Sequence, residues 1–295
     1  MTTTNKSNKV SIIGLGQMGR KLTQLYLDAG YEVIVWNRTA SKASDLNHVK
    51  IAGSAGEAVR DSTICIICVY DNNATLEIFE SIPEKNVFAD KTVINLTTGS
   101  PKEAHDIEKM INAQGGYYIN GAIQVAPDQM GLESTTILLS GSLNAYQQSK
   151  SFMDVLGGNL KYLSEKPSAS SAMDLATLTW LYGSYIGLIY AVKLCQQYGL
   201  ELKDFSEVVG EVTPGYTDFF KYEIDVIQRG DFRVTQSPLP ISVAATRRIA
   251  DSFRELNVIQ DFPEILAGIL EKAHHKGLHN EELAAIIKVI GEPKI

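Results

Sequence analysis

The chain has 295 residues, of which 44% are apolar and 21% charged, and 27 basic against 34 acidic residues give a net charge of −7. This composition is typical of a globular protein with a sizeable core, and the length favours two domains of roughly 150 residues each. The acidic balance argues against nucleic acid as a partner, because phosphate binding requires a basic surface. Only three cysteines, and no apolar leader before the first strand-like run, predict a cytoplasmic protein.

The first 140 residues alternate short β-branched runs with helical patterns. The runs are nearly continuously apolar, as expected for parallel strands covered by helices on both faces. This alternation predicts an α/β domain with a doubly wound, mostly parallel sheet and right-handed crossovers. The predicted strands are Val10–Ile13, Glu32–Trp36, Ile64–Val69, Thr92–Leu96 and Ile137–Ser140.

Two helices can be placed within this first region. The amphipathic segment Gln17–Ala29 ends before Gly30. A second helix is predicted to begin after Ser100, whose hydroxyl suits an N-cap. Pro101 then takes the first helical position, and Glu103 completes a capping box.

A glycine-rich hexapeptide lies between the first predicted strand and the first helix. In this context the first glycine permits a tight turn, the second lets the backbone approach a pyrophosphate, and the third allows close helix–strand packing. The helix N-terminus adds free N–H groups and a positive partial charge. The sequence therefore predicts a dinucleotide site (a Rossmann fold) at Gly14, Leu15, Gly16, Gln17, Met18 and Gly19.

The residues after the second predicted strand indicate which dinucleotide binds. NAD sites usually place a carboxylate there to bind the ribose 2′-hydroxyl. This chain has Asn37, Arg38 and Thr39, with Lys42 one helical turn later. Two cations without a carboxylate favour a 2′-phosphate, at roughly 1.5–3 kcal/mol for each charged hydrogen bond. We therefore predict NADP(H) as the cofactor.

The chain changes character after about Ser164. From Ala172 to Leu194 the only charged residues are Asp174 and Lys193, and the remainder carries no strand signal. We predict a nucleotide-binding domain at 1–165 and an all-α domain at 166–295, beginning with a long central helix at about 169–198. Predicted helix breaks lie at Gly199, Pro214, Gly230, Pro238–Pro240, Pro263 and Gly277, and a last helix is predicted to start at Asn280 before Glu281 and Glu282.

The apolar central helix has two interpretations. About 20 apolar residues are enough to cross a bilayer, and Gly183 and Gly187 form a GxxxG pair. Polar side chains within the helix, including Asp174 and Ser184, favour burial in the core of a dimer instead. We therefore expect a homodimer and no membrane span.

Cysteines and histidines give no metal site. Cys65 and Cys68 have the spacing of a ligand pair, but residues three apart on a strand point to opposite faces. They are predicted to be core residues. His274, His275 and His279 do not form a metal-binding motif, so we expect no metal.

Taken together, several motifs resemble a known superfamily. They are the GLGQMG run, WNRT followed by Lys42, LTTGSP at 96–101, the central helix and the terminal Glu281–Ala285 segment. These resemble the 6-phosphogluconate and β-hydroxyacid dehydrogenases and, more closely, their imine reductase and reductive aminase branch. The resemblance implies an NADPH-dependent oxidoreductase that transfers a hydride to the C=N carbon of an imine, including reductive amination, and a domain-swapped homodimer.

The start of the central helix distinguishes the branches. In β-hydroxyacid dehydrogenases the helix entry carries two glycines and a lysine that is the general acid, and a separate glycine-rich loop binds the substrate carboxylate. This chain has Asp174 at the lysine position and Tyr118–Ile123 in place of the loop. A carboxylate there suits a cationic iminium, or supplies a proton if an apolar environment favours its neutral form. The resemblance therefore implies a catalytic role for Asp174.

The same resemblance implies further site residues. Tyr182 matches a functional tyrosine of imine reductases, and Tyr185, nearer the Asp174 face of the helix, is a rival for that role. Thr98 matches a position that contacts nicotinamide and substrate, and Val69 and Tyr70 match cofactor-lining positions.

Two other functions remain open from the sequence. A β-hydroxyacid dehydrogenase would share the fold and cofactor but would need a proton donor in place of the lysine. A non-catalytic NADPH-binding sensor would bind the cofactor without turnover.

Overall fold

A computed structural model describes residues 8–291, and the chain divides into two compact units. The boundary falls between Thr179 and Trp180, inside a long helix. The first unit contains a sheet covered by helices, and the second is built from helices.

Eight strands form one sheet in the first unit. They are β1 (Lys9–Ile13), β2 (Glu32–Trp36), β3 (Val49–Ile51), β4 (Ile64–Ile67), β5 (Thr92–Asn95), β6 (Tyr117–Ile123), β7 (Thr136–Gly141) and β8 (Asn159–Ser164). Their order is β3-β2-β1-β4-β5-β6-β7-β8, and all neighbours are parallel except β6 and β7. The strand order reverses between β1 and β4, and ligands of doubly wound sheets bind in the crevice at such a point. The predicted mostly parallel sheet is confirmed.

Three strands were missing from the sequence prediction, each for a local reason. β3 has three residues and two of them are exposed, and none of the six residues of the edge strand β8 is fully buried. β6 carries Asn120 and Gly121 at its centre, and both types are depleted in strands. The segment Tyr118–Ile123, compared above with a substrate loop, is therefore an interior strand of the sheet.

Helices cover both faces of this sheet. They are α1 (Gln17–Asp28), α2 (Ala55–Arg60), α3 (Asn72–Glu80), α4 (Pro101–Ala113) and α5 (Leu143–Met153). Ile12 packs on one face in a cluster with Leu22 of α1. Its neighbour Ile13 packs on the other face in a cluster with Ile107 of α4. Burial on both faces explains why the strands read as continuous apolar runs.

The capping box predicted for α4 is present. The Glu103 amide donates to Ser100 Oγ at 3.3 Å, and the Ser100 amide donates to Glu103 Oε2 at 2.7 Å. These bonds satisfy two of the free N–H groups at the helix start.

The predicted long helix and all-α second unit are confirmed. The helices are α6 (Ser168–Gln197), α7 (Leu202–Arg229), α8 (Leu239–Glu255), α9 (Asp261–His275) and the short α10 (Ile287–Ile290). A small core joins Leu239 of α8 with Leu270 and Ala273 of α9 and Val289 of α10. By length and composition α6 passes the criterion for a membrane-crossing helix, and its apolar window is unburied.

Two details of the second unit contradict the sequence prediction. Pro214 lies inside α7 and does not break it. The expected helix at Asn280 is instead a 3₁₀ turn, and Glu282 is 1% exposed and accepts hydrogen bonds from the segment at Thr235 and Gln236. The Glu282 carboxylate, expected near a helix start, thus accepts hydrogen bonds from the backbone N–H groups of Thr235 and Gln236 instead.

Candidate active site

The glycine turn between β1 and α1 is fixed by close backbone approaches. Gly14 has φ +101°, and a Cβ there would collide with the carbonyl oxygen of Cys68. A Cβ on Gly19 would collide with the carbonyl oxygen of Gly14. At Gly16, in contrast, no heavy atom lies within 4 Å of the place that a Cβ would occupy. The turn is therefore held by its two outer glycines and leaves room for a ligand at the middle one.

A cavity of about 380 Å³ opens at this turn. Residues at the ends of β1, β2 and β4 line this cavity, as expected at the reversal point of a doubly wound sheet. The predicted cofactor residues that line it are Gly14, Leu15, Gly16, Gln17, Met18, Gly19, Asn37, Arg38, Thr39, Lys42, Val69 and Tyr70, and they are joined by Trp36, Cys68, Ala74 and Ile78.

Among the residues after β2, Asn37 connects two loops by hydrogen bonds, and Arg38 and Lys42 supply positive charge. The Leu15 amide donates to Asn37 Oδ1 at 2.9 Å, and Asn37 Nδ2 donates to the carbonyl of Thr39 at 3.0 Å. Asn37 thus ties the glycine turn to the β2 loop. Arg38 and Lys42 are exposed, and the lining residues include no carboxylate. This donor set fits a dinucleotide that carries a 2′-phosphate.

Thr98 lies outside this cavity. It is exposed after β5, whereas the neighbouring Thr97 is buried. Thr97 Oγ1 accepts from the Val69 amide at 3.1 Å, and the Thr97 amide donates to Asn95 Oδ1 at 3.0 Å. Thr97 therefore joins the ends of β4 and β5, and the side chain of Thr98 is left free for a ligand.

Asp174 lies on α6 within the first unit and is only 5% exposed. Gln124, the residue after β6, donates from Nε2 to Asp174 Oδ1 at 2.7 Å. Thr177 Oγ1 lies 2.8 Å from Gln124 Oε1. Asp174 is therefore buried and has a hydrogen-bond donor within reach of its carboxylate.

A buried polar network fixes the start of α6. Asn95 Nδ2 donates to the Tyr118 hydroxyl, which donates to Asn120 Oδ1 at 2.9 Å. Asn120 Nδ2 then donates to Ser170 Oγ at 2.8 Å and Ser171 Oγ at 2.9 Å. Burial raises the pKa of Tyr118, so its hydroxyl stays protonated as a donor. Because the network links β5, β6 and α6, it sets the position of the turn that precedes Asp174.

Tyr182 and Tyr185 lie further along α6, in the second unit. Their exposed fractions are 63% and 54%. Neither side chain is in the apolar core of its own unit, so both are available to a ligand or to another chain.

Cys68 is less buried than the core position predicted for it. Cys65 is fully buried, but Cys68 is half-buried and lines the cavity. Burial raises the pKa of Cys68 to about 11, so the thiol is neutral near pH 7. Within residues 8–291, no group of three or more His, Cys, Asp or Glu side chains has a metal-binding arrangement.

Sequence reasoning missed Gln124 and the additional cavity residues. Gln124 is a single polar residue in the apolar run Ala122–Val125, which was a signal that could have been used. Trp36, Ala74 and Ile78 carry no chemical signature, and only the fold brings them to the cavity.

Comparison with known proteins assigns a family to both parts of the chain. The model for the NAD-binding domain of 6-phosphogluconate dehydrogenase matches residues 9–164. The model for the C-terminal domain of NADPH-dependent reductive aminase-like proteins matches residues 166–292. The chain is 30% identical to the NADPH-dependent reductive aminase of Aspergillus oryzae, over 96% of this chain and 97% of that protein.

Solved structures give the same result. A reductive aminase from Aspergillus terreus, in complex with NADPH and ethyl-5-oxohexanoate, superposes with a TM-score of 0.88 at 29% identity, covering 96% of this chain and 99% of that one. An imine reductase from the same organism, in complex with NADPH4 and dibenz[c,e]azepine, gives 0.90 at 28% identity, covering 97% and 100%.

Proposed function

This chain belongs to the family of NADPH-dependent reductive aminases and imine reductases, and on that premise we propose that Asp174 stabilises or protonates the substrate nitrogen. The reaction is hydride transfer from NADPH to the C=N carbon of an imine or iminium, which gives an amine. The observation that carries the proposal is a buried carboxylate at the position where β-hydroxyacid dehydrogenases carry their lysine.

The chain's own residues bind the cofactor, act on the substrate nitrogen and contact the reacting groups. The glycine turn and the start of α1 bind the pyrophosphate, and Arg38 and Lys42 bind the 2′-phosphate. Bound NADPH supplies the hydride from its nicotinamide C4. Asp174 as a carboxylate balances the charge of a cationic iminium nitrogen, or in its neutral form donates a proton to the nitrogen of a neutral imine. Thr98, free at the end of β5, contacts the nicotinamide and the substrate.

A tyrosine of α6 completes the proposed site. Tyr182 is the candidate, and Tyr185 is its rival, because both are exposed and both carry a hydroxyl that can donate to the substrate. Substitution of each by phenylalanine separates them, since only the tyrosine that contacts the substrate lowers kcat when its hydroxyl is removed.

The active form is proposed to be a domain-swapped homodimer. Trp180 and Tyr182 on α6 and Tyr216 and Ile224 on α7 are each more than half exposed in the single chain. Large apolar patches left exposed on soluble proteins usually mark interaction surfaces. A second copy, rather than lipid, is the proposed cover, since α6 carries Ser184 and other polar residues within its apolar stretch.

The proposed substrates are cyclic imines and the imines formed from ketone–amine pairs. Support comes from the relatives, one solved with a keto ester and another with a cyclic imine, dibenz[c,e]azepine. We propose a cytoplasmic location on the acidic composition and the small number of cysteines.

The test is NADPH consumption by the purified protein with a small cyclic imine, beside NADP⁺ reduction with β-hydroxy acids. Asp174→Ala and Asp174→Asn are expected to lower imine reduction by about a hundredfold or more, because general acid catalysis contributes on that scale. NADPH binding is expected to persist in both variants. Unchanged imine reduction in Asp174→Asn would remove Asp174 from the mechanism, and oxidation of β-hydroxy acids would assign a different reaction.

A further inference from the structure

Gln124 and Thr177 surround Asp174 in an arrangement that the proposed reaction has not yet used. Asp174 and Thr177 are three residues apart on α6, so their side chains lie on one face of the helix. Gln124 faces them from the end of β6, and its backbone N–H donates to the carbonyl of Thr136 on β7 at 3.0 Å. The backbone of Gln124 is thereby held by the sheet, while its side chain reaches the helix.

Three short contacts connect these side chains. Gln124 Nε2 lies 2.7 Å from Asp174 Oδ1, and Gln124 Oε1 lies 2.8 Å from Thr177 Oγ1. The same Thr177 Oγ1 also lies 2.9 Å from the backbone carbonyl oxygen of Asp174. The threonine hydroxyl has one proton, so it donates to only one of its two acceptors at a time.

The first order of donors and acceptors is the one in the structure, and it suits an ionised Asp174. Gln124 Nε2 donates to the carboxylate, and Gln124 Oε1 accepts the Thr177 proton. The contact between the Thr177 hydroxyl and the Asp174 carbonyl then carries no proton.

A second order suits a neutral Asp174. A half-turn of the Gln124 amide places Oε1 next to the carboxyl group and Nε2 next to Thr177. The protonated carboxyl then donates to Oε1, Nε2 donates to Thr177 Oγ1, and the Thr177 hydroxyl donates to the Asp174 carbonyl. Each contact carries one proton in this order, and only an amide with a donor and an acceptor at its two ends allows both orders.

We propose that Gln124 and Thr177 are positioning residues that keep Asp174 hydrogen-bonded in both of its protonation states during turnover. This inference rests on the proposed role of Asp174 as proton donor. When Asp174 gives its proton to the substrate nitrogen, the Asp174 O–H bond breaks and a new N–H bond forms. The Gln124 amide turns to face the carboxylate with its N–H group, and a proton from bulk water later restores the neutral acid.

The direction of the expected pH effect follows from the first order. Replacing Gln124 by methionine keeps an unbranched side chain of similar length but removes the N–H donor to the carboxylate. Loss of a donor disfavours the charged form of a carboxyl group. The alkaline side of the kcat profile is therefore expected to move to higher pH in Gln124→Met.

The experiment compares kcat, KM for NADPH and the pH profile in wild type, Gln124→Met, Thr177→Val and the double variant. Gln124→Met is expected to lower kcat roughly tenfold to a hundredfold, the worth of a hydrogen bond to a charged group, with KM for NADPH unchanged. Thr177→Val is expected to lower kcat less. It should have no further effect in the Gln124→Met background, because Thr177 acts through Gln124. Thr177→Ser should restore the wild-type rate.

Thr179→Val is the matched control, because the Thr179 hydroxyl donates only within α6, to the Leu175 carbonyl at 2.7 Å. It is expected to leave kcat and the pH profile unchanged. A loss of rate in Gln124→Met without a shift of the alkaline limb, or additive effects of the two substitutions, would reduce both residues to structural supports. If Asp174→Asn itself retains imine reduction, the proposed role of Asp174 fails instead, whatever the Gln124 variants show.

Discussion

The two units bury their apolar side chains to very different extents. In the first unit Ile12, Ile66 and Ile94 are fully buried between the sheet and its helices. In the second, α6 and α7 present Trp180 and Ile224 at 63% and 64% exposure. The first unit completes its own core, whereas the second has a small core and a large uncovered apolar surface. The cofactor half therefore buries its own core, whereas the helical half leaves apolar side chains exposed that the proposed second copy would cover.

The uncovered surface of α7 has a regular spacing. Val208, Val212, Tyr216, Phe220 and Ile224 recur every four residues and are all exposed. Residues four apart are neighbours on a helix surface, so these side chains form one apolar stripe that winds slowly around α7. A second helix can pack along such a stripe over several turns.

A charge placed in this stripe is the strongest test of the difference in burial between the two units. Ile224→Glu would place an unpaired carboxylate in the proposed dimer interface, which costs several kcal/mol. We expect a monomer by light scattering and at least about a hundredfold loss of imine reduction, with NADPH still bound in the first unit.

Lys203→Glu is the control, since it adds a carboxylate to the same helix at an exposed polar position next to Glu207. It should remain dimeric and active. An Ile224→Glu protein that is still a fully active dimer would show that another surface joins the two copies.

The second prediction sharpens the comparison by testing whether cofactor choice resides in the first unit. Arg38→Ala removes one of the two cations that line the cavity after β2. The Kd for NADPH is expected to rise about tenfold to a hundredfold, the worth of one charged hydrogen bond, while the Kd for NADH stays constant. Fluorescence titration with each cofactor measures the two constants.

Arg20→Ala serves as the comparison variant, because Arg20 is ion-paired with Asp45 at 2.6 Å and does not line the cavity. Its affinity for both cofactors should match the wild type. Equal weakening of NADPH and NADH by Arg38→Ala would instead place the arginine on the pyrophosphate.

The third prediction concerns how the second unit holds itself together, and its expected effect on activity is the smallest. Burial alone would raise the pKa of Glu282, but hydrogen bonds from the Thr235 and Gln236 amides and the Thr235 hydroxyl outweigh burial and lower it. Glu282→Gln is expected to lower the free energy of unfolding by about 1.5–3 kcal/mol at pH 7.

The sign of the pH dependence follows from that lowered pKa. The ionised carboxylate stabilises the fold above the unfolded value of 4.5, and this contribution is lost as the pH falls through the lower folded value. The stability difference between wild type and Glu282→Gln should therefore shrink below about pH 4.5. The neighbouring Glu281→Gln, which breaks only an ion pair with Lys288 near the surface, is expected to cost at most about 1 kcal/mol. Equal unfolding curves for the two variants would contradict the anchoring role of Glu282.

Local patterns in the sequence predicted the fold class and the glycine turn of the cofactor half, but they missed β3, β6 and β8. The glycine hexapeptide, the capping box at Ser100 and the apolar runs of β1 and β4 act over short distances and are present as predicted. Pro214 shows the limit of local rules, because it lies within α7 although proline usually ends a helix.

The sequence by itself determined the class of fold and the position of the dinucleotide turn, because both depend on residues close together in the chain. It singled out Asp174 through the family resemblance. Only the tertiary structure decided what surrounds that carboxylate. Gln124 is 50 residues from Asp174 in sequence, and the two meet because β6 and α6 are joined by the buried network through Asn120 and Ser170. Likewise, Glu282 became a buried anchor rather than a helix start because a distant loop brought it backbone N–H donors. Contacts of this kind arise from the packing of separate elements, and no local pattern encodes them.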